Sequence, residues 1–204
     1  MSYVIGLTGG IGCGKSLVSR YLQNKQYPVI DADQIARQIM EPGQLGLVRV
    51  REAFGDSVIQ ADGTLDRKNL GEIVFNDQAQ LEKLNAITHP LIRQMLKEAI
   101  QKHTAQEIVI VDVPLLFESG GYADWVDEIW VVTASSDQQL KRIMERDSLS
   151  AGQAQARIDA QWPIAKKAEM ADFVIDNSRT MEQTYEQVEQ RLQQRQKMII
   201  EKKF

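Results

Sequence analysis

The sequence predicts an α/β fold: a mostly parallel sheet of five strands flanked by helices, interrupted by a helical insertion. Three observations carry this. Short apolar runs alternate with stretches of helical periodicity along the 204 residues, and such alternation builds a parallel sheet through right-handed crossovers. The run Ile108-Val109-Ile110-Val111 is β-branched throughout, as suits a strand covered by helices on both faces. A glycine cluster separates the first strand pattern from the first helix pattern, at the carboxyl end of a strand, where such sheets bind their ligands.

The elements follow in order. Tyr3-Val4-Ile5-Gly6-Leu7-Thr8 reads as a short buried strand that leads through the glycines into a helix at about residues 15–26. Pro28-Val29-Ile30-Asp31 is the second strand, and residues 34–40 form the next helix, stopped by Glu41-Pro42-Gly43. Residues 45–106 are mostly helical in period, broken at the turn Ala61-Asp62-Gly63-Thr64 and again at His89-Pro90; this is the insertion. Residues 107–113 form the clearest central strand, residues 129–133 another and residues 173–175 a short fifth. The Gln-rich, charged tail at residues 180–203 reads as a solvated closing helix. The length suits a single domain over residues 1–204.

Composition excludes some classes. With 43% hydrophobic and 25% charged residues and a mean hydropathy of −0.32, this is an ordinary globular composition. No stretch approaches the roughly 18 apolar residues of a membrane span, and no basic head precedes an apolar run near Met1. A soluble protein with no membrane partner is expected. The lone cysteine, Cys13, has no second cysteine to pair with and fits a reducing cytoplasm. A net charge of −4 and a pI near 5.3 argue against broad nucleic-acid binding and leave room for a local basic patch.

The strongest motif is Gly9-Gly10-Ile11-Gly12-Cys13-Gly14-Lys15-Ser16. It satisfies G-x-x-x-x-G-K-[ST] between a strand and a helix, the context the P-loop demands. In such a loop the backbone N–H groups of Gly10 to Leu17 point at nucleotide phosphates, and the following helix adds its partial positive charge. Lys15 is expected to reach the β- and γ-phosphates of ATP, and the Ser16 hydroxyl to join a Mg²⁺ shell. Cys13 is either an activated thiol in an electropositive loop or a small residue filling space.

A P-loop alone says nucleotide. No N-K-x-D segment of a switch GTPase occurs, and the strand at residues 107–113 ends Asp112-Val113-Pro114 without the acidic pair of many motor ATPases. Small-molecule kinases remain, and they need a carboxylate near the acceptor hydroxyl. Asp31-Ala32-Asp33 supplies two. If the segment is extended, residues i and i+2 project to one side; the competing reading of each aspartate is a helix cap.

The blocks Leu7 to Ser16, Asp31-Ala32-Asp33 with Ala36-Arg37, His89-Pro90-Leu91-Ile92-Arg93, Pro114-Leu115-Leu116-Phe117-Glu118, Gln139-Leu140-Lys141-Arg142 with Arg146-Asp147, Arg157 with Gln161, and Ile175-Asp176-Asn177-Ser178 together resemble the dephospho-CoA kinase family. The family catalyses the last step of coenzyme A biosynthesis. Two positions depart from it: Leu17, where Thr is usual, and Ser178-Arg179, where Asn-Gly or Ser-Gly is commoner.

The resemblance implies ATP-dependent phosphorylation of the 3'-hydroxyl of dephospho-CoA, with Mg²⁺. It implies a P-loop core at about residues 1–40, 107–138 and 162–204, an acceptor-binding insertion at 41–106 and a helical lid at 139–161. It makes Asp33 the general base, with Lys15 and Arg142 also catalytic. It places nucleotide on Gly10, Ile11, Gly12, Cys13, Gly14, Lys15, Ser16, Leu17 and Asn177, metal on Ser16, and acceptor on Asp33, Arg37, His89, Arg93 and Leu115. His89 before Pro90 is otherwise a residue that caps or packs at a helix start, and Leu115, Leu116 and Phe117 are otherwise core. Arg146 and Arg157 either contact phosphate or lie on a solvated face paired with Asp147 and Asp159. The partners implied are ATP and dephospho-CoA, in a cytoplasmic monomer or weak homo-oligomer. Rival readings are another small-molecule or nucleoside monophosphate kinase, a nucleotide-binding regulator without turnover, and a nucleic-acid kinase.

Overall fold

The centre of the sheet explains the rest. In the computed structural model, which describes residues 2–121 and 125–201, strand β1 (Tyr3–Gly9) lies between β3 (Ile108–Asp112) and β4 (Glu128–Thr133), parallel to both. Leu7 stands opposite Asp112 on one side and Trp130 on the other. With β2 (Val29–Asp31) and β5 (Phe173–Asp176) the order is β2-β3-β1-β4-β5, and the five strands expected from the sequence all form, in parallel. Because β3 and β2 lie on one side of β1 and β4 and β5 on the other, the connections diverge to opposite sides of β1, and its carboxyl end lies at the topological switch point where such sheets bind ligands.

Helices cover the sheet: α1 (Lys15–Asn24), the short α6 (Leu116–Ser119), α7 (Ser136–Asp147), α8 (Ala151–Asp159), α9 (Ile164–Glu169) and α10 (Met181–Glu201). Ile5, Leu7, Leu22, Trp130, Ile175 and Leu192 belong to one buried cluster. The closing helix is less solvated than its composition suggests. Thr184, Val188 and Leu192 recur at every fourth residue and are buried, a stripe too narrow to stand out among glutamines and charges.

A second compact unit spans Asp31–Lys102; the first takes in the chain on either side of it. The second unit holds α2 (Ala32–Gln38), α3 (Leu45–Phe54), α4 (Arg67–Phe75) and α5 (Gln78–Gln101). The turn at residues 61–64 forms as expected, flanked by a bridge between Ile59 and Leu65 and closed by the Gln60 N–H on the Thr64 carbonyl at 2.8 Å. The break expected at His89-Pro90 does not occur: Pro90 lies inside α5. Its missing N–H and ring disfavour the helix by about 3 kcal/mol. Burial of Thr88, Ile92 and Leu96 along one face, against the neighbouring α2, α3 and α4, outweighs that cost.

Candidate functional site

Between β1 and α1 the chain makes the loop that the motif requires. Gly14 caps α1 with φ 89°, and a Cβ there would stand 2.1 Å from Asn177 Nδ2, so both backbone conformation and space demand glycine. Gly12 has φ 76°, and a Cβ on it would meet the Gln139 carbonyl oxygen at 2.8 Å. No side chain caps α1 and no acidic residue sits in its first turn. The helix therefore offers its first amides and its dipole to an anion.

The loop is braced from behind. Asn177, 3% exposed, donates from Nδ2 to the Cys13 carbonyl at 2.8 Å and accepts the Thr184 hydroxyl at 3.0 Å. Its side-chain amide is thus engaged with protein, and it touches the nucleotide-binding loop rather than open space. Arg142, on α7, donates from Nη1 to the Gly12 carbonyl at 3.3 Å and from Nη2 to the Asn177 carbonyl at 3.0 Å. Gln161 Oε1 accepts the Ile11 N–H at 2.9 Å. Cys13 is fully buried, and burial pushes its thiol above the ordinary value. Of the two readings of Cys13, the filler of space stands and the activated thiol does not.

The loop opens on a cavity of about 520 Å³ lined by Gly12, Gly14, Lys15, Ser16, Arg142 and Arg146, with Pro114 and Gln161 at its side. The Lys15 ammonium pairs with the carboxylate of Asp112, which ends β3 and is 6% exposed. Asp112 is the site candidate that the sequence did not single out; its signal was an acid closing an apolar strand. Arg146 lines the cavity and also grips Asp147 through two bonds of 2.8 and 2.9 Å, which holds that carboxyl below its usual range. Arg157 joins Asp147 as well, while Asp159 accepts from Gln155 at 2.8 Å. Among the described residues no group of three or more His, Cys, Asp and Glu is placed to hold a metal ion. Mg²⁺ needs no such cage, because it keeps waters and substrate phosphates in its shell. The hard oxygens of Ser16, which follows Lys15, and of Asp112, which pairs with it, suit it in kind.

In the helical unit the aspartate pair takes a different form from the one expected. The segment is not extended beyond Asp31: β2 ends there and α2 begins at Ala32. Asp31 is the cap, accepting the N–H groups of Asp33 and Gln34 at 2.8 and 3.1 Å. The strong capping preference of Asp pulls the chain into a helix one residue after the strand. Asp33 is exposed in the first turn of α2, and Arg37, also exposed, follows one helical turn later on the same face. His89 and Arg93 are likewise one turn apart on α5, against which α2 packs. His89 lies in mid-helix, so it caps no helix start. Its pKa is lowered, first by burial and then by the charge of Arg93. In the other unit, Leu115 is 43% exposed while Leu116 is 2% exposed, so of that pair only Leu116 is core.

Comparisons agree with this geometry. A family model described as dephospho-CoA kinase matches residues 3–183. The dephospho-CoA kinase of Shouchella clausii is 46% identical over 186 residues, covering 90% of this chain and 94% of that protein. That of Geobacillus kaustophilus is 46% identical over 191 residues, 92% of this chain and 94% of its own. Among solved structures, TT1252 from Thermus thermophilus superposes with a TM-score of 0.83 at 31% identity, covering 95% of this chain and 97% of that one. The dephospho-CoA kinase from Campylobacter jejuni does so with a TM-score of 0.71 at 33% identity, covering 95% and 96%.

Proposed function

The chain belongs to the dephospho-CoA kinase family, and from that premise we infer that it is an ATP-dependent transferase that phosphorylates the 3'-hydroxyl of dephospho-CoA, the last step of coenzyme A biosynthesis. The observation that carries the reading is the loop at the carboxyl end of β1, where Lys15, Ser16 and the loop glycines line a cavity of about 520 Å³ at the start of α1 and Asp112 pairs with Lys15.

The ribose oxygen attacks the γ-phosphorus of ATP, the bond to the β,γ-bridging oxygen breaks, and ADP leaves. Lys15 brings its charge to the β- and γ-phosphates, and Asp112 orients that ammonium. The amides of Gly12 to Leu17 hold the phosphates. Arg142 neutralises charge on the transferred group, since its five-donor fork has capacity beyond the carbonyls of Gly12, Cys13 and Asn177 that it binds. Ser16 and Asp112 would hold Mg²⁺, which would supply neutralisation of the phosphate charge. Asn177 acts on the nucleotide through the Cys13 carbonyl it holds.

Asp33 takes the proton of the attacking hydroxyl. Support comes from its place in the chain: Asp33 follows the end of strand β2 by two residues, and parallel sheets bind ligands at the carboxyl ends of their strands. Arg37, His89 and Arg93 bind the acceptor on the helical unit, Leu115 contacts it from the segment after β3, and residues 139–161 act as a lid. The reading extends to a cytoplasmic monomer or weak homo-oligomer that binds neither nucleic acid nor membrane; no helix among the described residues is long and apolar enough to cross a membrane.

The test is a coupled ADP-release assay with ATP, Mg²⁺ and dephospho-CoA, run beside nucleosides, nucleotides and shikimate, with the 3'-phosphorylated product identified directly. Turnover on another acceptor alone would assign the chain elsewhere among the P-loop kinases. Asp33→Asn is expected to keep ATP affinity while transfer falls by about 10² to 10⁴-fold; a variant with the parental rate removes Asp33 as base. Lys15→Ala is expected to lower turnover by roughly 10² to 10³-fold.

A further inference from the structure

Lys167, in α9, is 0% exposed, a costly place for an ammonium group. Its Nζ lies 2.6 Å from Glu118 Oε1, on α6. The same carboxylate oxygen accepts the Trp162 N–H at 3.3 Å, and the ammonium also donates to the Gly9 carbonyl at 3.5 Å. The second oxygen of Glu118 is buried and meets no hydrogen-bond donor among the described residues.

These partners have something in common. Gly9 ends β1 and opens the phosphate loop. Glu118 follows the Pro114 segment, and Trp162 follows Gln161, whose Oε1 holds the Ile11 N–H at 2.9 Å; Pro114 and Gln161 both line the nucleotide cavity. The rings of Phe117 and Trp162 lie nearly parallel, 6.5 Å apart, beside the same junction. One buried ion pair therefore joins the start of the loop, the segment after β3 and the segment leaving α8. Packing α6 against α9 does not require it, because an apolar pair of similar volume does that without the desolvation penalty.

We propose that Glu118 and Lys167 are a positioning pair for phosphoryl transfer, which fixes the start of the phosphate loop relative to the Gln161-Trp162 segment so that the cavity's donors are set before ATP arrives. Neither residue touches the reacting atoms. The turnover readout rests on the kinase reading; the ATP-binding readout does not.

The experiment is the double substitution Glu118→Leu with Lys167→Met, which removes the link and leaves no buried charge unpaired. Thermal melts and circular dichroism report the fold, calorimetric titration with ATP in the absence of acceptor gives Kd, and the dephospho-CoA assay gives kcat and KM. The expected result is a parental melting temperature with ATP Kd weakened several-fold and kcat lowered by about 10²-fold, the scale of a small misplacement at a reacting centre. A folded double variant with parental Kd and kcat overturns the proposal and leaves the pair structural. Should the double variant not fold, Glu118→Gln keeps the volume and an acceptor for Trp162 while stripping Lys167 of its counter-charge. That variant is expected to bind ATP several-fold more weakly and to turn over about 10²-fold more slowly. Parental Kd and kcat in folded Glu118→Gln also overturn the proposal. A parent that binds ATP without phosphorylating dephospho-CoA removes the kinase reading alone, and Kd then decides.

Discussion

His89 and Arg93 stand one turn apart on α5 and differ in charge. Burial and the neighbouring guanidinium both push His89 below its ordinary pKa, so at pH 7 it is neutral and Arg93 carries the charge. The consequence for stability has a definite sign. The unfolded chain takes up the His89 proton near pH 6.5 while the folded chain resists it. The contribution of neutral His89 is complete above about pH 6.5 and is lost as pH falls towards the folded value. His89→Gln is therefore expected to flatten the dependence of melting temperature on pH just below 6.5, and an unchanged slope in circular dichroism melts would exclude His89 as the titrating group. Residues were legible in the sequence where their chemistry is local. Lys15, Ser16 and the loop glycines fall within eight consecutive positions, and the backbone of that loop needs all of them. Asp112, 97 residues from Lys15, and Gln161, 150 residues from Ile11, acquire meaning only when the sheet brings them together. Glu118 and Lys167 are of the same kind.

At the scale of elements, strands were the easiest to read, since β-branched runs buried on both faces have few alternatives. Boundaries set by capping were harder. Asp31 ends a strand and caps a helix at once, so Asp33 falls in the first turn of a helix and not on an extended segment. Helix α5 is the opposite case, in which a local breaker lost to packing. Pro90 is exposed, so its ring contributes little to the core, while its lost hydrogen bond and steric clash act on a helix of 24 residues. Pro90→Ala restores the bond at a helix penalty lower by about 3 kcal/mol. Release of the unfolded chain from the ring offsets about 1 kcal/mol of that. The net expectation is about 2 kcal/mol of added stability in urea denaturation of the full chain. A variant no more stable than the parent would mean that α5 is bent around Pro90 in a way that alanine does not relax.

For the molecule as a whole, the order of strands follows from a phosphate loop placed after the first strand, but the attachment of the last helix does not. Val188 and Leu192 give α10 only a narrow apolar stripe, and part of its remaining hold is electrostatic. Glu128, the first residue of β4, is 1% exposed; its Oε1 accepts Arg191 Nε at 2.6 Å, and Arg195 pairs with Oε2. The Tyr3 hydroxyl donates to the same carboxylate at 3.1 Å, and burial, reinforced by the charge of Glu128, pushes Tyr3 up to about 12, so it remains a donor at any working pH. Glu128 thus ties the first strand, the fourth strand and the closing helix together at the amino edge of the sheet, opposite the phosphate loop. Removing one partner of a buried ion pair leaves the others desolvated without compensation, at about 3–5 kcal/mol. Arg191 and Arg195 keep 20% and 17% of their side-chain surface exposed, which favours the lower end. Glu128→Ala is accordingly expected to lose about 3 kcal/mol, or about 6–12 °C in melting temperature for a chain of this size, with kcat intact at temperatures where the variant is folded. An unchanged urea midpoint would mean that the apolar stripe alone docks α10. A loss of kcat in fully folded protein would mean that the amino edge of the sheet communicates with the phosphate loop, which nothing in the packing of β4 requires.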